Sequence, residues 1–156
     1  MFKRIVIRSY EVGLVFREGE FTSLLAAGKR WLFDPLHKVR VRVVSKREPW
    51  LADDQLDVIV KSGALADKAE VIDLKDSQRA LVWIDGRFAR ILGAGLYAYW
   101  TGVRDVRVEV IDAREVRFEH KDLKSIVRVG EASRLLDICK VERDCVGVLF
   151  IDGRFV

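Results

Sequence analysis

The chain has 156 residues, half of them hydrophobic and a third charged, with two prolines and two cysteines. That size suits one ordinary domain or two small ones with a real core, and it excludes a disordered tail or a disulfide-dense scaffold. The formal charge of +4 is spread over interspersed acids and bases, so the block-like signature of a nucleic-acid binder is missing.

The N-terminal segment sets the apolar trio Ile5, Val6 and Ile7 between charges. This is far too short for a signal peptide or a membrane span, and a cytoplasmic chain is expected. Next comes Gly13–Phe21, in which apolar and aromatic residues flank Glu18-Gly19. A glycine supplies the positive φ of a tight hairpin turn, and β-branched and aromatic flanks suit strands, so a β-hairpin is predicted. Ala26-Ala27-Gly28 predicts a sharp turn and Trp31-Leu32-Phe33 a short strand rich in aromatic area. Val39, Val41 and Val43 then alternate with Arg40 and Arg42, the period of a half-buried strand. Leu56–Val60 reads as another strand, with a helical turn near Leu65–Ala69.

From residue 80 the pattern starts again. Ala80–Phe88 repeats Gly13–Phe21, and Gly147–Phe155 repeats it once more. The turn glycines Gly19, Gly86 and Gly153 are each 67 residues apart, and residues 13–48 match 80–115 at 13 of 36 positions without a gap. Val106, Val108 and Val110 recapitulate the valine alternation. Leu123–Val129 corresponds to the Leu56 segment and is again read as a strand, followed by a helical turn near Glu131–Leu136. A mainly β fold with minor α is therefore expected, built from two tandem homologous units of 67-residue period. Their boundaries are placed at 1–72 and 73–140, and the opening hairpin of a third unit, 141–156, is expected to complete the second by adding to its sheet. The third unit breaks off at Val156, which leads to the expectation of a longer parent protein.

Chemistry-bearing motifs are sparse. Gly93-Ala94-Gly95 lacks the Lys-Ser/Thr of a phosphate loop. His37 and His120 are not repeat equivalents, and no metal or cofactor is assigned. Cys139 and Cys145 are read as reduced core thiols. Asp53, Asp54 and Asp57 are read as a solvated loop, and Glu48 and Glu115 as structural partners of Arg47 and Arg114. No catalytic residue is assigned, and an enzyme is not expected. Arg40, Arg42, Arg104 and Arg107 fall on one predicted basic face, which supports a second reading as a binding module for nucleic acid or anionic lipid.

The run Gly13-Leu-Val-Phe-Arg-x-Gly19-x-Phe21, continued by Leu24-Leu25-Ala26-Ala27-Gly28-x-x-Trp31-x-x-Asp34-Pro35, resembles the opening of band-7 (SPFH) domains. Gly86-x-Phe88, Ala94-Gly95 and Tyr97 resemble it a second time. Within that family the pattern is most similar to slipin-like proteins with repeated segments ahead of the band-7 domain, although Ala27 and Ala94 stand where the family has Pro. The resemblance implies a scaffold, with self-association in the full-length protein, a membrane protein or protease as partner, a membrane-associated parent and no specific nucleic acid.

Overall fold

The computed structural model describes residues 2–156. The first repeat contributes β1 (Phe2–Ile7), β2 (Glu11–Arg17), β3 (Glu20–Leu25), β4 (Gly28–Phe33), β5 (Val39–Ser45) and α1 (Leu56–Lys61). The second contributes β6 (Ala69–Leu74), β7 (Gln78–Ile84), β8 (Arg87–Leu92), β9 (Gly95–Trp100), β10 (Val106–Asp112) and α2 (Leu123–Ile126). A 3-10 turn at Ala132–Arg134 and a hairpin, β11 (Phe150–Ile151) with β12 (Arg154–Phe155), follow. The chain divides into two compact units, Met1–Phe118 and Glu119–Val156. The fold is mainly β, as the alternating patterns predict.

The 67-residue period holds at the backbone. β6 to β10 begin and end one period after β1 to β5, and α2 begins one period after α1. In each full repeat the second strand is the centre of a three-stranded antiparallel sheet, ordered β3-β2-β5 and β10-β7-β8. The first and fourth strands form a separate antiparallel ribbon, β1-β4 and β6-β9. Even the register shift recurs, between Val15 and Phe16 and between Val82 and Trp83.

The acid-glycine pairs explain the hairpins. Glu18 and Gly19 have φ of 54° and 92°, Asp85 and Gly86 of 51° and 74°, and Asp152 and Gly153 of 50° and 76°. Two successive positive φ values are the requirement of a type I′ turn, whose twist matches that of the flanking strands. The turn is followed in all three copies by an edge-to-face aromatic pair across the hairpin. Ring centroids lie 5.9 Å apart for Phe16–Phe21, 5.5 Å for Trp83–Phe88 and 6.1 Å for Phe150–Phe155.

Each ribbon covers one face of its own sheet. In the second repeat Ile72, Leu74 and Tyr99 pack with Ala80, Val82 and Leu92. In the first, Ile5, Ile7 and Val15 are buried at the corresponding positions. There Gly13 replaces Ala80, and a Cβ on it would stand 2.9 Å from Ile7 Cδ1.

The strand readings of the later segments are corrected. Leu56–Val60 and the start of Leu123–Val129 are helical, not strands. Leu56 and Ile59 are buried at a spacing of three while Val58 is exposed, so the burial period is that of a helix and overrides β propensity. The entry is a turn in which the Gln55 N–H donates to Asp53 Oδ1 at 2.9 Å; one period on, the Asp122 N–H donates to His120 Nδ1 at 3.0 Å. β6, the second repeat's copy of β1, spans residues 72 and 73. The third hairpin pairs β11 with β12 in antiparallel register.

Replacing Gly86 by Ala is expected to lower unfolding free energy by about 1–2 kcal/mol, the cost of a left-handed conformation with a Cβ. Gly93→Ala is the control. Its φ is not positive and a Cβ there would meet nothing within 4 Å. Urea unfolding midpoints measure both; equal losses would remove the turn argument.

Candidate assembly interface

The second face of the first sheet is where the repeats meet. Val12, Leu14 and Phe16 of β2 point away from the β1-β4 ribbon and form one core with Leu51, with Leu56 and Ile59 of α1, and with Leu65. Ala98 and Trp100, which belong to β9 of the second repeat, complete that core, and Leu96 and Ala69 pack at its edge. Trp100 is 1% exposed. The β6-β9 ribbon is thus shared: one face covers its own sheet, the other fills the preceding repeat.

Backbone bonds fasten the same seam. The Trp100 N–H donates to the Pro49 carbonyl at 2.6 Å, and the Leu51 N–H to the Ala98 carbonyl at 2.9 Å. The segment around Trp50 therefore runs as a short added strand along β9. Within the second ribbon itself the Thr101 N–H donates to the Lys68 carbonyl at 3.0 Å. Gln55 ties the helix entry to the hairpin. Its Oε1 accepts from the Phe21 N–H at 3.2 Å and its Nε2 donates to the Gly19 carbonyl at 2.6 Å.

Carboxylates brace the turns at the rim. Asp85 lies below the usual carboxylate range because Arg104 donates to it and the Asp105 N–H adds a second bond. Asp34 is lowered by the N–H groups of Val39 and Lys38. Asp112 is lowered to about 2, chiefly by hydrogen bonding from Arg114. All three are depressed, so their contribution is complete above the unfolded-state value near ~4 and fades as pH falls through the folded values. Thermal stability is accordingly expected to decline between about pH 4 and 2, and Asp112→Asn to flatten part of that decline. An unchanged slope in the variant would remove Asp112 from this account.

The predicted site residues separate into two groups. Gly19, Gly86 and Gly153 occupy the hairpin turns. The four arginines do not stand as one free cationic face. Arg42 is ion-paired with Asp53 and lies over the Phe16 ring, Arg104 pairs with Asp85, and Arg107 stacks over Trp83 at 4.1 Å. Arg40 is exposed opposite Phe16 on β5. Cys139 and Cys145 are exposed, not core thiols, and are not bonded to each other. No cluster of three His, Cys, Asp or Glu suited to a metal ion occurs among the described residues. No helix among them is long and apolar enough to cross a membrane. A cleft of about 340 Å³ opens beside Trp100, bordered by Glu11, Lys46, Asp67 and Lys68.

Sequence reasoning marked Trp31-Leu32-Phe33 as the aromatic segment, yet Trp31 and Phe33 are exposed, and the ring that closes the first repeat's core is that of Trp100 in the second. The effect of the Trp100 ring is separable from that of an exposed indole on the first ribbon. Trp100→Ala is expected to cost about 3–5 kcal/mol, as a large buried ring does, whereas Trp31→Ala, at an exposed site, should change stability by less than about 0.5 kcal/mol. Denaturant titration of both variants checks this, and similar losses would contradict the placement.

No protein-family model, curated protein or solved structure matches this chain, so any functional reading stands on the repeat seam and the residues around it.

Proposed function

We propose that the chain is a non-catalytic assembly module of slipin-like band-7 type, which mediates self-association or partner binding in a parent that acts at a membrane. The observation that carries the reading is the seam, where Ala98 and Trp100 of one repeat complete the core of another. A repeat whose core is closed by its neighbour is a unit of linear stacking, and stacked repeats present extended surfaces to partners. The band-7 resemblance of Gly13–Phe21 and Ala80–Phe88 supports the same class. The pairing of Arg42 and Arg104 with carboxylates takes support from the alternative, a module for nucleic acid or anionic lipid.

Light scattering of the 156-residue chain over a hundredfold concentration range is the test. The weight-average mass is expected to rise with concentration. A mass that stays at 17.9 kDa throughout would overturn self-assembly as the role of this segment.

A further inference from the structure

The seam at the middle of the chain has two halves, and each recurs elsewhere without its partner. The donor half is the outer face of a ribbon. In β6-β9 it consists of Ala69, Ala98 and Trp100, seated on the preceding repeat. One period earlier, the same positions of β1-β4 are Phe2, Trp31 and Phe33, exposed at 70%, 66% and 63%. Phe2 and Phe33 pack ring to ring at 5.1 Å, which forms one contiguous aromatic knob.

The acceptor half is the hairpin face that receives the ribbon. In the first repeat it is Leu14, Phe16 and Phe21. Two periods later these positions are Val148, Phe150 and Phe155, exposed at 57%, 60% and 72%. The hairpin is already shaped for the role, since its register, Phe150 opposite Phe155, repeats Phe16 opposite Phe21. One face of ribbon type and one of acceptor type are therefore both open on the same chain.

We infer that the β1-β4 ribbon of one chain docks on the β11-β12 hairpin of a second copy, head to tail, in the manner of the in-chain seam. The inference rests on the assembly reading above and names its contact. Charge favours the unlike pairing. Arg4 and Lys29 share the ribbon's outer face with the aromatic residues, so two ribbons placed face to face would bring four cations together. The hairpin side is balanced instead, with Lys140, Arg143 and Arg154 against Glu142, Asp144 and Asp152, and so brings no such repulsion. Such a heterologous contact leaves a free donor and a free acceptor after every addition. It extends to a filament or closes to a ring, and does not stop at a dimer.

The test uses two double variants of the 156-residue chain, W31S/F33S on the ribbon and V148S/F155S on the hairpin. Circular dichroism and thermal unfolding verify that both keep their fold, as expected for exposed positions. In sedimentation velocity each variant alone is expected to associate at least about tenfold more weakly than the unaltered chain. An equimolar mixture should form a 1:1 complex, because each variant retains the half the other lacks, and nothing larger. Variants that associate like the unaltered chain overturn the contact and leave the assembly reading standing. So does a hairpin variant that still dimerises through its ribbon, or a mixture that stays monomeric. An unaltered chain that is monomeric at every concentration sinks both. Pelleting with phosphatidylserine vesicles covers the remaining occupant: binding lost in W31S/F33S, by a chain that does not self-associate, would assign the aromatic knob to lipid instead.

Discussion

Burial of one indole ring in a neighbouring repeat organises the rest of this molecule. Trp100 ends the fourth strand of the second repeat and sits among Leu14, Phe16 and Ile59 of the first. Without it the first sheet would have one apolar face covered by its own ribbon and another open to water. A three-stranded sheet and a six-residue helix are too small to close a core alone. The sheet-forming pattern and the tandem copying are therefore not independent facts. Copying supplies the surface that each unit lacks.

The period of 67 was legible without coordinates because its strongest marks are local and chemical. An acid followed by glycine between apolar flanks recurs at Glu18-Gly19, Asp85-Gly86 and Asp152-Gly153, and the positive φ at each pair shows why both residue types are needed. The valine alternation of β5 and β10 was legible for the same reason, since a period of two reports a strand directly. What the pattern did not disclose is which surface meets which. Leu56–Val60 is rich in β-branched residues and reads as a strand, yet it is a helix, because α1 must present Leu56 and Ile59 together to the seam. That demand is tertiary, and no local preference encodes it.

The arginines show the same limit from the side of function. Placed on a strand by alternation alone, Arg40 and Arg42 suggest a cationic face. Asp53 lies eleven residues from Arg42 in sequence, and nothing in either residue's neighbourhood announces their pairing. Asp53 is also the residue that accepts the Gln55 N–H at the helix entry, and Gln55 in turn holds the β2-β3 turn. The charged rim thus braces the hairpin and helix that form the acceptor, which gives Arg42 a structural use. One repeat later the acidic residue has become His120, whose ring nitrogen keeps the turn-forming acceptor in place of a carboxylate.

Divergence between equivalent positions carries more information here than their agreement. Ribbons β1-β4 and β6-β9 share strand lengths and register, yet the first has four cations and no acid over residues 2–7 and 28–33, and the second has two acids and no cation over 69–74 and 95–100. Ala69 and Ala98 are small where Trp100 must fit closely, as an interior requires. Phe2 and Trp31 are large at the matching places, where no such constraint acts within the described chain. A ribbon under the same packing constraint as its copy would be expected to keep the copy's small residues. Enlarged aromatic side chains flanked by cations are instead the composition of a surface that contributes much of its energy through a few exposed rings and selects its counterpart by charge.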